Sequence, residues 1–410
     1  MQNGKAPSAM ARLSPPQPRQ IHRQGQNRYP DYLTRVPCRQ VAKICLRRAG
    51  VCGPDAQSFY QVLWDPRQAA RPGSLEETGM QQNRHHECPE CAADPGRRRF
   101  LTTAGAAVAA VAGGALGLDR AAAAVPPLPR GTKVPVAETT VRRLFDSLTA
   151  EQRKVAALPF DHPDATKISA NWQIIKPTIG ELYTEEQQRM IHEILRGVTS
   201  EEGYDRFIRQ MQDDNGGIEK YACAIFGQPG VGKFEWVMTG RHLTIRADGN
   251  NIADAAFGGP IVYGHQAPGN KAENLFYYQT QMANEVFQAL DGQQRAKALL
   301  PMAPKEDQIQ LKSADYAGLA VGEMSKDQKE LVHKVMKALL APYREADVKE
   351  AVDGVHAHGG GDKLHLSFYR NDDLGSDQEW DIWRIEGPTV VWHFRGAPHV
   401  HTWVNMRTRP

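Results

Sequence analysis

Four stretches of the chain open alike, with a capping residue, glutamine three positions on, and then apolar residues three and four apart. They are LTAEQRKVAALPF, YTEEQQRMIHEIL, LDGQQRAKALLP and MSKDQKELVHKVM, with Thr149 before Gln152, Thr184 before Gln187, Asp291 before Gln294 and Ser325 before Gln328. A capping oxygen and a glutamine at that spacing satisfy each other's otherwise orphaned amides, so each stretch is predicted to open a helix. The first matches the third and the second the fourth: Thr149 and Asp291 stand 142 residues apart, Thr184 and Ser325 141, and His192 and His333 also 141. β-type segments follow each pair, EKYACAIFG and FEWVMTGRHLTIRADG in the first half, KLHLSFYRN and EWDIWRIEGPTVVWHFRG in the second. Trp236 and Gly240 match Trp383 and Gly387 at an offset of 147, which a longer loop in the second half explains. The pattern predicts an α+β fold of two pseudo-repeated units, each a helical pair plus an antiparallel β-meander, over residues 125–270 and 271–410.

Upstream the pattern changes. Residues 1–79 are rich in Pro, Gln and Arg, with no sustained apolar period, and read as a disordered or mis-assigned N-terminal extension; Met80 stands at a natural start. Residues 80–124 read as a twin-arginine signal region. Arg97, Arg98 and Arg99 lead into Phe100 and Leu101 as R-R-x-F-L, a weakly apolar run reaches Leu118, and Ala121 to Ala124 offer a peptidase small residues. The competing reading of Phe100 to Leu118 is a membrane span, but alanine and glycine bring little transfer energy. The expectation is export by the twin-arginine translocase, a mature chain from Val125 without a stable membrane span, and a periplasmic or extracellular location.

Charge and cysteine then narrow the partners. Residues 125–410 carry 33 Lys plus Arg against 38 Asp plus Glu, so the formal +3 of the whole chain comes from the leader. Nothing in that balance calls for a nucleic acid or an anionic membrane. Cys38, Cys45, Cys52, Cys88 and Cys91 precede the cleavage point, leaving Cys223 alone and no internal disulfide in the mature part.

GQPGVGKF, Gly227 to Phe234, nearly spells a phosphate-binding loop, but Phe234 stands where a hydroxyl should hold magnesium and the next segment reads as a strand, so a hairpin turn is expected. The candidate chemistry lies in histidine. His399 and His401 in HVHTW stand two apart in a β-prone segment, which points both rings to one face. His393 in VVWHF, His242 in GRHLTI and His265 in IVYGH are the further candidate ligands, with Glu386 in RIEGP as a possible ligand or base. Imidazoles without cysteine suit copper, zinc or iron. The alternative is that His399 and His401 lie on the polar side of a sheet. His356 and His358 repeat the spacing in VHAHGGGD, where the glycines predict a mobile loop. No G-x-S-x-G, H-E-x-x-H or G-x-G-x-x-G occurs in the mature part.

The ordered segments LFDSLTAEQR, EEGYDRFIRQM, AIFGQPG, GRHLTI, GGPIVYGH, EVFQALDGQQRAKAL, EWDIWRIEGP and HVHTW resemble the bacterial domain-of-unknown-function 3500 family, over almost all of residues 138–406. The resemblance implies no activity. It shares His242, His265, Glu386, His399 and His401 with the candidate set. The sequence thus points first to an exported metalloprotein, an oxidoreductase or metal-assisted hydrolase. A non-catalytic binding protein with Trp236, Trp383, Trp392 and Trp403 lining a cleft is the second reading, and a structural module with scattered histidines the third.

Overall fold

The computed structural model describes residues 124–249 and 251–410. The extension and nearly all of the signal region expected from the sequence lie outside these residues. Among the described residues no helix is long and apolar enough to cross a membrane.

The chain is mixed α and β, with helices α1 (Ala137–Ser147), α2 (Ala150–Ala156), α3 (Ile179–Leu182), α4 (Glu185–Val198), α5 (Glu201–Asn215), α6 (Tyr277–Gln288), α7 (Gly292–Ala298), α8 (Lys326–Leu340) and α9 (Glu345–Ala357). All four glutamine-capped starts are observed, at α2, α4, α7 and α8, each with both reciprocal bonds of a capping box. The capping glutamines also pair with each other. Gln152 and Gln187 exchange amide hydrogen bonds of 2.7 and 3.0 Å, Gln294 and Gln328 of 3.1 and 2.8 Å. The same side chain therefore closes a helix end and docks it against its neighbour, which is why glutamine serves where a shorter acceptor would only cap.

Among the described residues eleven strands form one sheet: β1 (Ala157–Leu158), β2 (Ala222–Gly227), β3 (Phe234–Gly240), β4 (Leu243–Ala247), β5 (Ile261–Pro268), β6 (Leu299–Leu300), β7 (Leu319–Ala320), β8 (His365–Tyr369), β9 (Ile382–Gly387), β10 (Val390–Arg395) and β11 (His399–Met406). The order is β1-β2-β3-β4-β5-β11-β10-β9-β8-β6, with β7 also on β8. Only the short outer strands β1 and β6 pair in parallel; the rest is antiparallel. GQPGVGK is the β2–β3 hairpin turn, with Gly227 and Gly230 at φ +77° and +81°, as its sequence requires.

The strands do not alternate buried with exposed positions; nearly all of their residues are buried because both faces are covered. One face is apolar and carries the helices: Phe207 of α5 packs on Tyr263, and Phe287 of α6 on Phe368. Trp236, Trp383 and Trp392 are fully buried and Trp383 stacks on Phe394, so these tryptophans are core and line no open cleft.

Two long connections cross the other face as straps. Residues 159–175 run along β3 and β4, where Thr244 Oγ1 donates to Ser169 O and Thr239 Oγ1 accepts from Ile174 N. Arg246 donates to Ala165 O and Lys167 O. Residues 301–318 cross the second half, where Arg384 donates to Gln308 O and Asn405 to Ile309 O. Ala170 and Ile309 meet Val262, Val391 and Trp403 beneath them in a small apolar cluster. The straps satisfy polar side chains that this face would otherwise bury unpaired.

The turn leading into β11 is braced by Asp381, whose carbonyl accepts from Gly396 N at 2.7 Å and whose carboxylate accepts from Leu374 N at 2.6 Å. Its other oxygen has no partner among the described residues. Burial, reinforced by Asp373, Asp377 and Glu379, pushes this carboxyl up to about 7, against the pull of the Leu374 amide. The folded state therefore binds a proton that the unfolded chain releases near pH 4, so this contribution to stability is full below pH 4 and is lost as pH rises through 7. Asp381→Asn should accordingly unfold later than wild type at pH 8, by on the order of 2 kcal/mol, with the gap closing at pH 4. Denaturant unfolding at the two pH values measures it.

Candidate metal centre

Three of the five expected histidines meet. His242 lies in the two-residue turn between β3 and β4, and His399 and His401 lie at the start of β11. Their ring centres form a near-equilateral triangle with sides of 5.0, 4.9 and 4.8 Å. One ligand nitrogen from each falls within 4.8 Å of the others, and all three residues are buried. His399 Nε2 and His401 Nε2 are 3.0 Å apart.

Local backbone features build the triangle. His242 holds φ +58°, a left-handed conformation that disfavours a side chain with a Cβ by about 1 kcal/mol or more. The turn is pinned by the first strap, since His242 N donates to Ala170 O at 2.6 Å. Strained backbone at a ring that meets two others suggests a position selected for what the ring does. Across the sheet, Gly264 lies opposite His401, and a Cβ there would come within 2.1 Å of Val400 O and 3.3 Å of His242 Cβ. Glycine leaves the space the rings occupy. A register shift between His399 and Val400 sets the end of β11 against β5.

Carboxylates stand behind two of the rings. His242 Nδ1 lies 2.6 Å from Asp214 Oδ2, and both side chains are fully buried. Asp214 also accepts from Gln210 Nε2 at 2.7 Å and Gln266 N at 2.9 Å. Burial alone would raise the Asp214 carboxyl, but these donors, His242 foremost, bring it below the usual range. His401 Nδ1 lies 3.2 Å from Glu306 Oε2, which Arg395 Nε reaches at 3.2 Å. With Nδ1 engaged, His242 and His401 present Nε2 to the centre. Burial first, then neighbouring cations and rings, drives His399 down to about 3 and His401 well below the histidine range. Both are neutral at pH 7, the form that ligates a metal. Imidazoles bound at about 2.0–2.1 Å around one tetrahedral ion have ring centres about 5 Å apart, the spacing observed. Three buried histidines in this arrangement can hold a metal ion.

A family model described as a protein of unknown function, DUF3500, matches residues 131–409. The chain belongs to the DUF3500 family. No curated protein and no solved structure matches it.

The other expected ligands of this DUF3500 protein stand apart from the triangle. His265 is opposite Val400 rather than His401, so the two-residue period turns it to the other face; its Nε2 lies 3.5 Å from Asp213 and its Nδ1 accepts from Leu275 N. His393 shares a face with His401 but sits two residues away along β10, opposite Trp403, and Arg384 Nε donates to its Nδ1 at 3.2 Å. Arg395 occupies the place next to His401. Glu386 holds the second strap, accepting from Ala317 N at 2.9 Å and lying 3.3 Å from Lys312 Nζ. His356 is in the last turn of α9 and His358 just after it, bonded to Gly354 O, so VHAH ends a helix instead of forming a mobile loop.

Asp214 and Glu306 were missed by sequence reasoning. Asp214 had a signal: QMQDDNGG places two carboxylates in the last turn of a helix, where the dipole disfavours negative charge, so a partner there was to be expected. Glu306 lies in the irregular APKEDQIQ and had none. In the DUF3500 domain Asp214→Asn should keep the fold and weaken metal binding 10–100-fold, roughly the effect of losing a carboxylate behind a ligating imidazole. Competitive titration with a chromophoric chelator reads this directly.

Proposed function

We propose that His242, His399 and His401 of this DUF3500 protein hold one transition-metal ion, zinc, copper or iron, and that the protein is an exported metalloprotein acting as an oxidoreductase or a metal-assisted hydrolase. The observation that carries this reading is the buried triangle of imidazoles with Asp214 and Glu306 behind it. Three protein ligands leave a coordination position for water or substrate, the arrangement of catalytic rather than structural sites. Elemental analysis of protein purified from an exporting host should give one metal per chain. Zinc would favour hydrolytic chemistry, whereas copper or iron would favour redox chemistry. A protein that carries no metal and takes up none of the three ions would end the proposal.

The export route rests on the twin-arginine pattern R-R-x-F-L from Arg97 to Leu101. Arg97→Lys with Arg98→Lys should leave the precursor inside the cell, and the exported form should begin near Val125. We also infer that the two halves descend from one duplicated unit. Three features support this: the paired offsets of the helix caps, the reciprocal glutamine pair in each half, and a strand order that runs inward from a parallel outer pair on either side to β5 and β11. The metal triangle is not repeated, because Thr389 stands where the second half would place the counterpart of His242.

A further inference from the structure

We propose that the metal of the three-histidine centre binds a small carboxylate anion, which Arg395 and Arg241 grip as it coordinates. This rests on the metal reading above and names the ligand class of that site.

The argument starts from charge. Ligating imidazoles must be neutral, so the triangle itself contributes nothing. Two carboxylates adjoin it, Asp214 on His242 and Glu306 on His401. Two guanidiniums adjoin it as well. Arg241 immediately precedes His242 in the turn, and Arg395 is the cross-strand neighbour of His401, with its Nε 3.2 Å from Glu306. Farther out, Asp213 is offset by Arg209 at 3.5 Å. These charges of the described residues balance one another before a metal enters. A divalent cation adds two positive charges among residues no more than 8% exposed. Net charge held away from water is costly, so the loaded centre favours an anionic ligand.

The surroundings select its size and type. Arg395 and Glu306 are 16% and 12% exposed at their side chains and Arg241 is half-buried, so the rings lie one side chain below the surface. A small molecule needs to pass only that layer. Hydroxide would bring a single oxygen, and the metal would take it. A carboxylate has two oxygens, one for the ion and one for the planar donors of arginine, which match carboxylate geometry better than lysine does.

The test uses full-length mature protein loaded with cobalt(II), whose visible absorption reports a change of ligand, and titrates it with acetate at fixed pH and ionic strength. Acetate should produce a saturating change, and Arg395→Gln should need at least about ten times more of it while still holding one cobalt per chain. Arg395→Lys should recover only part of the loss, and Arg241→Gln provides a second variant should the first fold poorly. Cobalt-loaded protein whose spectrum ignores acetate would overturn the inference and leave the metal reading standing. An acetate response unchanged in both Arg395→Gln and Arg241→Gln would overturn it too. Failure to bind cobalt at all would remove both readings together.

Discussion

His401→Ala should abolish stoichiometric metal binding, whereas His265→Gln should leave it nearly intact. Each of the three rings supplies one ligand, and a structural four-ligand zinc site is worth about 10–16 kcal/mol in all, so losing one ligand costs roughly 3 kcal/mol, or about two orders of magnitude in affinity. His265 lies near Asp213 and Asp214, the latter also bonded to His242, yet is turned to the other face of the sheet, so its loss changes the surroundings and not the ligand count. Thermal unfolding with and without metal separates the effects. A ligand bound only by the folded chain raises its stability as the logarithm of its concentration over Kd, so wild type and His265→Gln should gain several degrees and His401→Ala almost none. His401→Ala also creates a cavity and removes the partner of Glu306, so its metal-free form should already melt lower, by about 2–4 kcal/mol. The difference between melting curves with and without metal, rather than either alone, tests the site. Equal metal-induced gains in wild type and His401→Ala would place the ion elsewhere.

Much of the fold was legible because local chemistry and tertiary structure agree. The spacing from Thr149 to Gln152 specifies a capping box through atoms within one turn, and the structure uses that same glutamine to join two helices. Period two placed His399 and His401 on one face, and the β3–β4 turn brought His242 to them. What the sequence could not show was register. His393 and His401 belong to adjacent strands on one face, but only the pairing of Arg395 with His401 decides that the arginine, and not the histidine, is the neighbour. A shift of two residues would have set His393 beside His401, as the sequence reading expected.

The straps were hidden for a related reason. Segments 159–175 and 301–318 lack a hydrophobic period, and the polar residues of the strands beneath them, Thr239, Thr244, Arg246, Arg384 and Glu386, resemble a solvent-facing side. In the folded chain these residues are buried and bonded to strap backbone. Glu386 illustrates the consequence: a buried carboxylate near histidines has the features of a ligand, and it is spent on holding a loop amide. Side-chain type indicates that a buried polar group needs a partner, but not which one.

Arg246→Met should be the most destabilising single change on the strapped face, at about 3–5 kcal/mol, because it removes one half of a buried ion pair. Its guanidinium is almost completely buried and bonds Glu235 together with the carbonyls of Pro260, Ala165 and Lys167. Burial already pushes the Glu235 carboxyl up against the pull of Arg246, so without the arginine it would protonate or draw in water. For a domain of this size that loss lowers the melting temperature by roughly 10 °C. The double variant Glu235→Gln with Arg246→Met separates two contributions: it removes the uncompensated charge but not the unmet need of three carbonyls, so it should recover part of the loss and not all. Metal affinity supplies the second readout, because Ala170, a few residues along the same strap, accepts the His242 amide and holds that ring in its left-handed turn. If the strap acts as a brace for the centre, both variants should bind metal more weakly than wild type even at temperatures where they are fully folded. Full metal affinity in a destabilised Arg246→Met would confine the strap to covering the sheet and leave the positioning of His242 to the turn alone.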